Sequence, residues 1–367
     1  MPNDIVLLFE DTPADRKDFE TELKRAFSRQ KVDIVAFSGS SSATDTGSGP
    51  YEIRLEKALH KTIDRTALIV CDQDLSGIDH YVGLSETVVS AVADQFGIPV
   101  ALYARGKKPA GKQMLDRLKI RKPWTERKII LDLDGKSFDG LASDCLEFYK
   151  GFQFVHKVLA TKKVTGRQSL AATMAQILNE PALINTFALY SSGDQQYLQS
   201  ILPNVRNKNR AVKQVSTALG YWLWESILRF PGILLNAVAA ASFLNIDPDT
   251  FSKDIDVVRM FASARYSGPF GSINSFWWRH KLQALLDSNH VEDGLALVKA
   301  GHPSKRIKGC FCSVDASLRA GYYCMITEKP VSEQHSRSKI AWFPAGADLA
   351  RIELKTFSKY APWLGLY

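Results

Sequence analysis

Four ionisable side chains stand where short apolar runs end. Glu10 and Asp11 follow Ile5–Phe9, Asp72 follows the run 66–71, and Lys122 precedes Pro123-Trp124. If these runs are neighbouring parallel strands, three carboxylates and one ammonium converge on one rim of a sheet. Carboxylates packed together repel and raise one another's pKa unless a cation compensates. Hard oxygen donors in small number suit Mg²⁺, which keeps water and substrate phosphate in its shell. A carboxylate beside Mg²⁺ is a competent nucleophile for phosphoryl transfer, because the metal offsets charge on the incoming oxygens. In that chemistry Asp72 is the acceptor, Glu10, Asp11 and Asp72 hold Mg²⁺, and Lys122 pairs with the new phosphate.

The elements that must position these residues alternate strand with helix. Strands are expected at 5–9, 32–37, 66–71 and 98–103, with another ending at Arg121 and an added one over 129–133. Helices are expected at 14–27, 52–64, 82–96 and 110–117, and the Gly/Ser/Thr-rich stretch 38–50 reads as a loop. Such alternation implies a doubly wound parallel sheet with helices on both faces, an α/β fold whose ligands sit at the carboxyl ends of the strands. A long helix over 138–160 leads out of this region. From 165 to 300 the pattern is helical, with helices expected at 167–179, 211–229, 232–244, 249–264 and 274–287. After 301 short aromatic and β-branched runs suggest a small β-rich module. The expected division is 1–150, 151–300 and 301–367.

Several strings in the first 135 residues carry a resemblance. LLFEDTPADRKDFETEL resembles the acidic opening of response-regulator receiver domains, and ALIVCDQDLSGID resembles their phosphoacceptor strand and following loop. IPVALYARG resembles their fourth strand, and Lys122-Pro123-Trp124 their Lys-Pro-aromatic signature. The resemblance implies a flavodoxin-like fold, phosphorylation of Asp72 by a histidine kinase or phosphotransfer protein, and Mg²⁺ held by Asp11, Asp72 and the backbone carbonyl of Asp74. Glu10 would act through water. Ser76, Gly77 and Asp79 align with the family's Pro, Gly and second Asp. Two positions depart from the pattern. The fourth strand ends in Tyr103 or Ala104 where the family has Ser or Thr, and the switch aromatic is replaced by Lys119 or Ile120. The alternative is a degenerate, non-phosphorylated receiver used as a docking surface in a nucleic-acid-binding regulator. Receivers with unfamiliar outputs occur in bacterial defence systems against phage, which gives that expectation by analogy.

The remaining strings with chemical content lie downstream. Leu244–Phe251 (LNIDPDTF) has the layout of a turn and an Asp-capped second helix, resembling a helix-turn-helix, but its acidic N-terminus suits packing better than DNA. Phe276-Trp277-Trp278-Arg279-His280-Lys281 mixes aromatics and cations, with core packing the favoured account of the tryptophans. Arg206, Lys208, Arg210 and Lys213 form the best local phosphate-contact candidate, weighed against a solvated loop. Cys310, Cys312, Cys324 and His335 form a candidate structural Zn²⁺ set, since three thiolates and an imidazole suit a closed tetrahedral shell. The spacing is tighter than a usual zinc knuckle, and free buried thiols are the competing reading. Cys324 with His335 is a minor candidate for thiol–imidazole catalysis. No P-loop, Gly-x-Gly-x-x-Gly or ordered Ser-His-Asp set occurs, so beyond phosphoryl acceptance no enzyme class is indicated.

Charge and cysteine content bound the partners. The 367 residues carry a net charge of +8. Residues 1–150 hold 22 Lys+Arg against 24 Asp+Glu, a net of −2, so 151–367 carry +10. A basic half suggests nucleic acid or a nucleotide as a partner. Five cysteines do not resemble a secreted disulfide framework. No apolar run is long enough for a bilayer and no membrane partner is expected, so the sequence points to a cytoplasmic protein, with a homodimer a candidate assembly.

Overall fold

The computed structural model describes residues 2–39, 49–78, 81, 83–103, 129–131, 137–161, 169–191, 208–304, 306–338, 340 and 343–364. They form two compact units. The first contains the described residues up to 103, together with 129–161 and 208–221; the second contains 169–191 and 222–364. The sequence boundary at 150 falls inside a continuous helix, and the described residues after 301 share a unit with the helices at 222–300.

The first unit is built on a parallel sheet. Its strands are β1 (Asp4–Phe9), β2 (Val32–Phe37), β3 (Thr66–Asp72), β4 (Val100–Tyr103) and the two-residue edge strand β5 (Ile129–Ile130), in the order β2-β1-β3-β4-β5. β1 and β3 are near-continuous apolar runs because both their faces are covered, and every residue of β3 is buried. The covering helices include α1 (Pro13–Ala26), α2 (Tyr51–Leu59), α3 (Glu86–Phe96) and α4 (Phe138–Thr161). α1 begins at Pro13, where a fixed φ and a missing N–H cost a helix nothing, and buries Phe19 and Leu23. α4 keeps an apolar stripe through Leu141, Cys145, Phe148, Phe152, Val155 and Leu159, which is why the helix does not stop at 150. It packs on α1, and Tyr149 Oη donates to Asp4 Oδ2 at 2.9 Å. The strand expected to end at Arg121 lies outside the described residues.

A helix distant in sequence completes this unit. Lys208–Trp222 lies along the turn between α3 and β4. Thr217 Oγ1 donates to Gly97 O at 2.6 Å, and Tyr221 Oη accepts from the Val100 N–H at 2.7 Å. Lys213 Nζ reaches Thr66 O at 2.7 Å and Asp64 O at 3.3 Å, while Arg210 Nε donates to Gln95 O at 2.8 Å with its guanidinium over the Phe96 ring. Arg210 and Lys213 therefore bond carbonyls of their own unit, where the sequence offered them as phosphate-contact candidates against a solvated loop. Burial holds the Lys213 ammonium below its usual pKa. Arg206 lies outside the described residues.

The second unit mixes helices with two small sheets. The expected helix over 274–287 begins late: Phe276–Trp278 form strand β7, paired antiparallel with β6 (Leu234–Asn236), and the helix runs over Arg279–Ser288. Both tryptophans are buried, so they serve the core as expected but on a strand. Three consecutive bulky residues fit a strand sandwiched on both faces better than one stripe of a helix. The expected helix over 211–229 holds to Trp222, and Leu223–Leu228 wind as a π-helix. Pro248–Lys253 starts from the expected cap, Asp247, whose carboxylate accepts from the Thr250 N–H at 3.0 Å. The C-terminal strands β8 (Tyr322–Cys324), β9 (Pro330–Val331), β10 (Ser336–Arg337) and β11 (Ala350–Glu353) form one sheet in the order β10-β11-β8-β9. Among the described residues no helix is long and apolar enough to cross a membrane.

Candidate functional site

Strand register decides what meets at the carboxyl rim of the parallel sheet. Phe9 pairs with Cys71 and Cys71 with Leu102, so the next residues, Glu10, Asp72 and Tyr103, are brought side by side on three adjacent strands. Asp11 follows one residue later. One carboxylate oxygen from each of Glu10, Asp11 and Asp72 lies within 4.8 Å of the others, and this is the one such group of three or more candidate ligands among the described residues.

Each acid is held by a different device. Glu10 is fully buried; it accepts from the Thr12 N–H at 2.8 Å and from Tyr103 Oη at 2.5 Å. Tyr103 is itself buried, and burial together with Glu10 raises its pKa, so it remains a donor. Asp11 Oδ2 accepts from the Gly77 N–H at 3.0 Å. A Cβ at Gly77 would stand 3.0 Å from that oxygen, so glycine lets the loop after β3 close onto the acid. Asp72 is buried and its Oδ1 accepts from the Asp74 N–H at 3.3 Å. Burial pushes the Asp72 carboxyl up to about 7; the charges of Glu10 and Asp11 add to the rise, and backbone N–H groups of Asp74 and Gln73 oppose it.

These donors fit a small hard cation. Oxygens around one Mg²⁺ lie ~3–4 Å apart at its ~2.1 Å bond length, close to the spread found here, and water completes such a shell. A divalent ion would also offset the burial and the neighbouring charges that push the Asp72 carboxyl up. Lys122, Asp79, Ala104, Lys119 and Ile120 lie outside the described residues.

The sulfur and imidazole set does not gather. Cys310 Sγ lies 3.6 Å from Ser242 Oγ, and Cys324 Sγ accepts from the N–H groups of Thr327 at 3.4 Å and Glu353 at 3.3 Å. His335 Nδ1 faces Ser332 Oγ at 3.2 Å, and Ser332 bonds the Cys312 thiol. Each thiol thus sits in its own cradle, and Cys310, Cys312, Cys324 and His335 do not form the four-ligand shell expected for Zn²⁺. The described hydrogen bond of the His335 ring is to Ser332, whereas those of the Cys324 sulfur, the minor thiol–imidazole candidate, are to Thr327 and Glu353. All five cysteines are free.

Two contacts at this rim escaped the sequence. The Tyr103–Glu10 bond depends on a register that residue types alone do not fix; its only signal was an aromatic where a small hydroxyl residue was expected. The Gly77–Asp11 bond spans 66 residues and was foreshadowed only by the glycine itself. The chain matches no protein-family model, no curated protein and no solved structure.

Proposed function

We propose that the first unit is a receiver-type module: Mg²⁺ binds between Glu10, Asp11 and Asp72, and Asp72 accepts a phosphoryl group from a histidine kinase or phosphotransfer protein. The observation that carries this reading is the convergence of those three acids at the carboxyl rim of adjacent parallel strands. The strand order β2-β1-β3-β4-β5 supports it, being an order in which ligands sit at that rim. Lys122 is the residue assigned to the phosphate. Phosphorylation adds about −1.5 to −2 charge and biases a two-state arrangement of the rim, which then controls the remainder of the chain. The defence-system role stays an analogy within this proposal.

Beryllofluoride, a stable mimic of the acyl phosphate, tests the reading by calorimetry. Binding should require Mg²⁺ and vanish in Asp72→Asn. Heat that persists in that variant, or needs no Mg²⁺, rejects Asp72 as the acceptor.

Tyr103 favours a second reading. Its hydroxyl is spent on Glu10, whereas a Ser or Thr there would be free to meet a phosphoryl oxygen. On that reading the rim binds a cation without accepting phosphate, and the basic remainder binds nucleic acid. Retention on DNA or RNA that falls steeply with salt, without any beryllofluoride response, would select it.

A further inference from the structure

Strand register gathers an arginine and a tyrosine on one face of the C-terminal sheet. In the parallel pair of β11 and β8, Arg351 stands opposite Cys324. Side chains two residues apart on a strand share a face, so Tyr322 lies on the side of Cys324 and Arg351. The Arg351 guanidinium sits 3.7 Å above the Tyr322 ring centroid. Glu333, just after β9, reaches the same guanidinium, its Oε1 3.3 Å from Nη2. The two charged partners differ sharply in exposure. The Arg351 side chain is 10% exposed and that of Glu333 74%.

The arginine is short of acceptors. A guanidinium carries five N–H donors, and Nε–H with one Nη2–H makes a fork that matches two oxygens of a single anion. Here Nε is buried and has no hydrogen-bond partner. Glu333 fills the other half of the fork with one oxygen, at a distance beyond the ~2.7–2.9 Å of a good charge-assisted bond. Among the described residues no other hydrogen bond or ion pair reaches the guanidinium, although Glu353 stands two residues along the same strand. A buried charge so incompletely paired is unfavourable to the fold. The Tyr322 ring fixes the plane of the guanidinium, and with it the direction in which the half-used fork points. The place now taken by the Glu333 carboxylate is open to solvent, so an anion can enter there.

We propose that the Arg351 guanidinium is a binding site for a phosphate monoester, with Glu333 as its internal placeholder. The phosphate takes the seat of the Glu333 carboxylate and sets one oxygen on Nη2. A second oxygen reaches Nε once Glu333 has withdrawn into the solvent that already surrounds it. A ligand carboxylate brings the same single charge as Glu333 and must displace a group tethered beside the arginine, so it gains little. A phosphate monoester brings about −1.5 to −2 charge and two oxygens in fork geometry. The phosphodiester of a nucleic-acid backbone carries one charge and is disfavoured on the same ground as a carboxylate. The net charge of +10 over residues 151–367 favours the approach of such anions.

The full chain is titrated with inorganic phosphate by calorimetry, without Mg²⁺ so that the rim of the first unit does not contribute. Wild type should bind, and Glu333→Ala should bind several-fold more tightly. Arg351→Lys keeps the charge but loses the fork, and should bind several-fold more weakly than wild type. Should that variant fail to fold, the Arg351 Nε–H resonance of wild type and Glu333→Ala gives an independent reading in proton–nitrogen correlation spectra; it should move as phosphate is added. Acetate and dimethyl phosphate should bind more weakly than phosphate. Glycerol phosphate and a phosphoserine peptide, titrated separately, tell a free ester from a phosphorylated chain, the tighter of the two naming the source. The proposal is overturned if neither wild type nor Glu333→Ala takes up phosphate, or if Glu333→Ala binds no more tightly than wild type. Unchanged binding in Arg351→Lys, an Nε–H resonance that stays still at saturation, or acetate or dimethyl phosphate binding as tightly as phosphate would each overturn it too.

Discussion

With its carboxyl pushed up to about 7, Asp72 couples folding to protons and to cations. The folded-state value lies above the ordinary 3.8, so the proton-bound form is the one that folding favours. Its contribution to stability is fully present below pH ~4 and is lost as pH rises through about 7. The metal-free protein should therefore lose stability between those limits, by about 1–2 kcal/mol once partial solvation of the rim is discounted. Thermal melts from pH 5 to 8 should show the loss in wild type, a flatter profile in Asp72→Asn, and recovery on adding Mg²⁺ at pH 8. A wild-type profile that is insensitive to Mg²⁺ would count against a cation at this rim. Tyr103→Phe removes one of the two donors described for a fully buried carboxylate and should cost about 1–3 kcal/mol in urea denaturation at neutral pH. The three acids were legible in the sequence because Glu10-Asp11 and Asp72 close apolar runs, where a parallel sheet must end. The tyrosine was legible only as a departure, since its partner is set by register and not by spacing.

Among the elements, the turn from α3 to β4 shows how tightly the distant 208–222 helix is fitted. Gly97 holds φ +64° in the left-handed region, and a Cβ there would lie 2.5 Å from the Gln214 backbone nitrogen. Gly97→Ala meets both the left-handed penalty of ~1–2 kcal/mol and a backbone that cannot yield locally. A total loss of about 2–4 kcal/mol is expected, with amide exchange faster along 208–222 than in α1. Equal protection in both helices would mean that the helix does not depend on this contact. Strands β1 to β4 and helices α1, α3 and α4 could be read from apolar runs and caps. The 208–222 contact could not, because Arg210 and Lys213 look like solvent-facing cations until the carbonyls they serve are seen. Phe276–Trp278 misled in another way: a bulky apolar triplet fits strand or helix, and only its pairing with Leu234–Asn236 decides.

At the scale of the whole molecule, the candidate ligands gather in the first unit, as carboxylates at a sheet rim. The charge division survives as a sequence fact, −2 against +10, but part of the positive charge in 208–213 is turned onto backbone carbonyls. Arg210→Ala should consequently lower stability, by about 1 kcal/mol, and leave any salt dependence of nucleic-acid retention unchanged. A shallower salt slope in that variant would place Arg210 on the ligand instead. The most direct test of the phosphoryl-accepting rim is chemical. The full chain is incubated with acetyl phosphate and Mg²⁺, its intact mass is measured, and the acyl phosphate is trapped by borohydride reduction before peptide mapping. The account predicts one added phosphoryl group, dependent on Mg²⁺ and mapping to the peptide that contains Asp72. No gain in mass, or a gain that survives Asp72→Asn, would contradict it.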